Sequence, residues 1–133
     1  MRKLIVAALA AVGIVACRSS SAPDLTTYAG NYVLRSINDT LMPYTVAQST
    51  NYLLQISADT IFMATNGTFV DATHYKRTNN GVIDSPADSL GGVWRVDGAN
   101  LTFQAVTGDL FSANLTGSTI TLVGSGSKAV YTK

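Results

Sequence analysis

From Tyr28 to the C-terminus, apolar and polar residues alternate in short runs, and the runs end in Gly, Asn, Asp, Ser or Pro. A period of two places successive side chains on opposite faces of a strand. In the stretch Gly30–Ile37, Tyr32, Leu34 and Ser36 point one way and Val33 and Arg35 the other. Asn38-Asp39 reads as a two-residue turn, Leu41-Met42 resumes the chain, and Pro43 interrupts it. Tyr52–Ser57 and Thr60–Thr65 are predicted strands joined by a tight connection at Ala58-Asp59. Asn66-Gly67 predicts a type I′ hairpin, because that turn needs positive φ at both central residues. Thr68–Arg77 is its second arm. The segment 82–92 holds a Pro, two Asp and two adjacent Gly, and it reads as a long loop with room for a short strand at Val82-Ile83. Beyond it, strands over 93–96, 100–106, 110–115, 119–124 and 128–133 are separated by turns, the first at Asp97-Gly98. No helix of 10 residues fits after residue 20, although Thr45–Ser49 admits one helical turn.

Strands joined by short turns form an antiparallel meander. A flat meander leaves two open edges, and closure removes them. The expectation is an all-β chain, an up-and-down meander closing into a small barrel of about 8–10 strands. Such a barrel has an interior just wide enough for side chains or one small ligand.

The front of the chain has a different pattern. Met1-Arg2-Lys3 is positive, and Leu4–Ala16 is an uncharged run of 13 residues. This is the layout of a secretory signal. As a helix the run would reach roughly 20 Å, short of the ~30 Å hydrocarbon core, so it makes a poor permanent span. Ile14-Val15-Ala16-Cys17 resembles a bacterial lipobox. The resemblance implies acylation of Cys17, cleavage before it, and anchoring in membrane lipid. Two or more acyl chains give stable anchoring where one does not. Cys17 is the sole cysteine, so no disulfide framework competes for it. Residue 18 is Arg rather than Asp. By analogy with enteric sorting this points to the cell envelope at the outer membrane, on its periplasmic or outer face, rather than to the inner membrane. The Ser-rich stretch after Cys17 reads as a tether. The expected organisation is a signal peptide over 1–16, a lipidated Cys and tether over 17–26, and one barrel domain over 27–133.

Composition agrees with strands. Thr is abundant and glutamate is absent; Thr favours strands, and Ser, Asn and Gly favour turns. The formal charge is +1, and without Arg2 and Lys3 seven basic and eight acidic side chains remain. A near-neutral chain without basic clusters gives no pull on nucleic acid, so no nucleic-acid partner is expected.

Three stretches resemble lipocalin-like domains of bacterial lipoproteins. They are Gly30–Pro43, the hairpin around Asn66-Gly67-Thr68-Phe69, and Gly91–Phe103. They occur in the same order as in that family and span residues 28–131. The resemblance implies a lipocalin-like barrel and, less directly, a small apolar ligand. The usual Gly-x-Trp near the start is Gly30-Asn31-Tyr32 here, and no cysteine remains to pin the barrel ends.

Few residues suggest chemistry. His74 is the sole histidine, and no nucleophile-elbow motif accompanies it; it reads as a strand residue on the wall, and no enzyme activity is expected. Asp84 and Asp88 could hold Ca²⁺ with loop carbonyls, but their spacing does not match an EF-hand loop, and surface solubility explains them as well. His and Cys are too few for a structural zinc site, and no cofactor is implied. Tyr32, Leu34, Tyr52, Leu54, Phe69, Trp94, Phe103 and Phe111 are the candidates for an apolar cavity lining or for plain core. A domain this small needs most of its large side chains for its own stability. Four Asn-x-Thr triplets, at Asn38, Asn66, Asn100 and Asn114, read as turn chemistry.

Two functions compete. A membrane-tethered barrel that holds a small apolar ligand predicts a cavity of at least ~300 Å³ open at one end. A filled barrel that contacts another envelope protein requires an exposed apolar patch instead.

Overall fold

A computed structural model describes residues 22–133. The signal segment 1–16, Cys17 and the tether as far as Ser21 lie outside the described residues. A short 3₁₀ turn, Leu25–Thr27, opens the described chain, capped by Asp24, whose carboxylate accepts from Thr26 N–H at 3.0 Å. Leu25 and Tyr28 already pack on the core, so the folded domain begins slightly before residue 27.

The rest is strand. The elements are β1 (Gly30–Ile37), β2 (Thr40–Leu41), β3 (Tyr44–Ser49), β4 (Tyr52–Met63), β5 (Thr68–Asn79) and β6 (Val82–Asp84). They continue with β7 (Ala87–Asp97), β8 (Asn100–Ala105), β9 (Leu110–Thr116), β10 (Thr119–Gly124) and β11 (Ser127–Thr132). All pairings are antiparallel. The cycle β1-β4-β5-β7-β8-β9-β10-β11 returns to β1 and closes an eight-stranded barrel. β1 makes the closure by dividing its length. Gly30–Val33 pairs with β4, and Val33–Ile37 pairs with β11.

Alternation decides what faces inward. Along β8, Leu101, Phe103 and Ala105 are buried while Asn100 and Gln104 face water. Tyr32, Leu34, Ile61, Met63, Phe69, Trp94, Leu101, Phe103, Ile120 and Tyr131 build one core. Each such large side chain contributes about 1.5–3 kcal/mol by leaving water. One end of the barrel is sealed. There Trp94 donates Nε1–H to the Ala64 carbonyl at 3.1 Å, and Tyr28 meets the Trp94 ring edge-on with centroids 6.5 Å apart. Tyr32 donates its hydroxyl to the Tyr28 carbonyl at 2.6 Å. The 3₁₀ turn thereby lies over the sealed end.

At the other end β4 and β5 run past the barrel. β3 joins β4 there, with Tyr44 opposite Ile56, and β6 joins β5, with Arg77 opposite Asp84. The four strands form an arm beside an open mouth. An extra residue at Ser57, between the pairs Ile56–Tyr75 and Ala58–His74, marks where barrel becomes arm. Such a bulge bends the strand and re-aims the residues beyond it.

Four local expectations are corrected. Ala58-Asp59 is not a turn: the bulge at Ser57 keeps β4 continuous. Residues 82–92 are not a long loop. Ala87–Gly92 lie in β7 and pair with Phe69–His74, because the ring of Phe69 covers Gly92, where a Cβ would meet Phe69 Cε1 at 2.7 Å. The turn-forming residues there are held by their neighbours' hydrogen bonds, and tertiary pairing overrides local preference. Thr45–Ser49 is strand β3, bulged at Val46. Asn66-Gly67 does not form a type I′ pair, since only Gly67 has positive φ, +84°. The hairpin has a three-residue loop: Ala64 N–H donates to the Thr68 carbonyl at 2.8 Å and Gly67 N–H to that of Ala64 at 3.1 Å. Asn38-Asp39, by contrast, is the expected two-residue turn, with φ of 50° and 65°.

Candidate functional site

The inward faces of β4, β5 and β7 change character on the way to the mouth. On β4 the inward series is Met63, Ile61, then Asp59. On β5 it is Phe69, Asp71, Thr73, and on β7 Trp94, Gly92, Leu90, Asp88. Apolar groups therefore fill the sealed half, and carboxyls appear in the open half.

Between these zones lies a chamber of about 100 Å³. Ile61, Phe69, Leu90, Phe103, Phe111 and Leu122 supply its apolar wall, and Asp71 and Tyr131 its polar spots. Phe69 and Phe103 meet edge to face, with centroids 5.2 Å apart. A shallower cleft of about 150 Å³ adjoins it toward the mouth, lined by Asp71, Thr73, Asp88, Ser89 and Leu90. Asp71 and Leu90 line both spaces, so they stand between them.

Asp71 is the acid common to both walls, and Asp59, which lines neither space, is its neighbour. Asp59 is 6% exposed. Thr73 Oγ1 donates to Asp59 Oδ2 at 2.9 Å, while Asp59 Oδ1 and Asp71 Oδ1 are buried without a hydrogen-bond partner. A buried acceptor without a donor costs about 1–3 kcal/mol. Asp71 relieves part of that cost by holding a proton. Burial pushes its pKa up to about 8, and a hydrogen bond that the protonated acid makes to Asp59, then the charges of Asp59 and Asp88, push in the same direction. The Tyr131 phenol is likewise raised, by burial first and then by Asp59 and Asp71. Two carboxyls and a phenol thus gather beside the chamber.

The residues expected from sequence are divided by the fold. Tyr32, Leu34, Phe69, Trp94 and Phe103 are buried in the barrel, and Phe111 packs against them half-buried. Of these, Phe69, Phe103 and Phe111 line the chamber. Tyr52 and Leu54 are half-buried on the arm, outside the barrel core. Asp84 and Asp88 are not brought together. Arg77 grips Asp84 through Nε at 2.9 Å and through its second nitrogen, and this contact holds the Asp84 carboxyl below its usual range. Asp88 faces Thr73 instead, four residues back along β5 from Arg77, or about 13 Å at strand rise. Among the described residues no group of three or more His, Cys, Asp or Glu side chains could hold a metal ion. His74 is exposed on the outer wall, its carbonyl accepting from Ser57 Oγ at 3.0 Å.

Sequence reading missed Asp59 and Asp71. The signal was parity: Asp59 shares the register of Ile61 and Met63, and Asp71 that of Phe69. An acid at a core-parity position is the pattern to seek.

Two larger grooves, of about 310 and 440 Å³, run along the outside of the arm, with walls of mixed character. Neither contains a buried carboxyl. No family, no curated protein and no solved structure matches the chain. Among the described residues no helix is long and apolar enough to cross a membrane.

Proposed function

We propose that this chain is a lipid-anchored, lipocalin-like barrel of the bacterial cell envelope that binds a small ligand in its interior. The observation that carries the reading is the chamber inside a closed barrel, walled by Phe69, Phe103, Phe111 and Leu122, with Asp71 between it and the cleft on the mouth side. Its volume fixes the size of the ligand. At about 100 Å³ it falls short of the ~300 Å³ cavity expected from sequence, and the reading narrows to a molecule of a few heavy atoms. The anchor is supported by the lipobox-like Ile14-Val15-Ala16-Cys17 at the end of a signal-length apolar run. The chain enters the domain at the sealed end, where Leu25 lies near Gly67.

A second reading is a partner-binding lipoprotein. It is favoured by the rim, where Leu41, Val82, Ile83, Val106, Leu110 and Val123 are the most exposed large apolar side chains and all lie at the open end or on the arm. Native mass measurement of the protein purified from its own host separates the two. The first reading expects a low-mass adduct that is lost on denaturation. A bare chain with a stoichiometric protein partner overturns it in favour of the second.

A further inference from the structure

We infer that the chamber and the adjoining cleft form one site for a short aliphatic ammonium ion. This inference rests on the small-ligand reading above and names the chemistry of the ligand. Its basis is an unmet need for donors. Asp59 is more than nine-tenths buried, and its Oδ1 has no partner; nor does the buried Oδ1 of Asp71. Asp59 lies against both Asp71 and Tyr131, the two polar residues of the chamber wall. While Asp71 holds its proton it can donate to Asp59; once that proton leaves, both carboxylates only accept and neither can satisfy the other. The lining of chamber and cleft includes no Lys, Arg or His to supply the donors.

An ammonium group fits this need. It brings three N–H donors and no acceptor, and its charge offsets the two carboxylates it would join. Water or an alcohol would bring donors without charge, and neither would replace the proton that Asp71 holds. A divalent cation is a poor fit: Ca²⁺ takes 6–8 oxygens, and no group of three or more potential protein ligands converges among the described residues.

The apolar wall sets the body of the ligand. Water occupies about 30 Å³ in the liquid, and a cavity of about 150 Å³ takes benzene. The chamber of about 100 Å³ therefore suits a chain of roughly four carbons, with its head at Asp71 and its tail against Phe103, Phe111 and Leu122. Asp88, on the cleft side of Asp71, adds attraction for an incoming cation.

The cation competes with the proton on Asp71. The groups facing Asp71 are Asp59 from β4, Asp88 from β7 and Tyr131 from β11, while β8, β9 and β10 contribute uncharged Phe103, Phe111 and Leu122. All the titratable neighbours are acids, so binding expels the Asp71 proton and strengthens as pH rises. A primary alkylamine remains charged to about pH 10, like a lysine side chain.

The test is calorimetric titration of the full chain in detergent micelles, with protein-free micelles as blank. The ligands are n-butylammonium and the neutral n-butanol, each at pH 6 and pH 9, with wild type and Asp71→Asn. The expected result is n-butylammonium binding at least tenfold tighter than n-butanol at pH 9, and at least tenfold tighter at pH 9 than at pH 6. Asp71→Asn should remove both differences. If n-butanol binds as tightly as n-butylammonium, the ammonium inference falls and the small-ligand reading stands. If neither binds, both fall. A folded Asp71→Asn that keeps the full preference also overturns the assignment, and if that variant does not fold the wild-type titrations decide alone.

Discussion

Asp59 and Asp71 sit diagonally across the β4–β5 ladder, because Asp59 is in register with Thr73 and Asp71 with Ile61. Both therefore share the inward face, and the proton held by Asp71 links the fold to pH. The folded pKa of Asp71, about 8, lies above its ordinary value of 3.8. The folded state thus binds a proton that the unfolded state releases. The resulting stability is fully present below about pH 4 and is lost as pH rises to 8, at about 1.4 kcal/mol per unit of separation. Chemical denaturation at pH 5, 6.5 and 8 should show falling stability. Asp71→Asn, neutral at every pH, should flatten the profile and exceed wild type at pH 8. Asp84 acts in the opposite sense, but its folded pKa lies below 3.8, outside this window.

Gly92 tolerates no side chain. A Cβ there would come within 2.0 Å of the Gln104 carbonyl oxygen and 2.9 Å of Ala105 Cα, both backbone atoms. Gly92→Ala should cost about 1–3 kcal/mol, toward the upper end because backbone rather than a side-chain tip must move. Gly124→Ala, which meets nothing within 4 Å, should change stability by no more than about 0.5 kcal/mol. Urea midpoints of the two variants provide the comparison.

Trp94 is the sole tryptophan, and only 3% of it is exposed. Its emission should be blue-shifted in the native state and move to the red as the barrel opens. Trp94→Phe removes the Nε1–H bond to Ala64 and part of the contact with Tyr28, and should cost about 2–3 kcal/mol. Ala64 retains the Gly67 N–H as a donor, which keeps the loss from being larger.

The Arg77–Asp84 pair is well formed but has side chains 43% and 48% exposed. Arg77→Ala should therefore shift the denaturation midpoint only slightly, and less still in high salt. A denaturation midpoint shifted by more would assign the arm a larger role in stability than its exposure suggests.

Cys17→Ser should abolish acyl labelling and release the chain from the membrane fraction. Unchanged partitioning of that variant would remove the anchor from the proposed function.

The barrel itself was legible because its signals are local. Alternation at Tyr32–Leu34 and at Leu101–Phe103 assigned inward faces, and Asn38-Asp39 gave its turn. What escaped depends on distant partners. Asp88, Ser89, Gly91 and Gly92 look like loop residues until the Phe69 side of β5 is placed beside them. Asp59 looks like a turn residue until the bulge at Ser57 makes β4 one strand. The same two features hid the candidate site, since the site is built where those segments meet. Phe69, Phe103 and Phe111 were recognisable as interior aromatics, but nothing local distinguished chamber wall from packed core.

Closure of the barrel leaves its eight strands without free margins, but the chain does not stop there. Among the described residues β2, β3 and β6 each pair on one side only, with β1, β4 and β5 respectively. Each keeps a row of amide and carbonyl groups facing outward, and β6 places Val82 and Ile83 beside its row. Sheet extension by another chain, whether a partner strand or an early step of aggregation, has its openings at these three margins rather than around the wall.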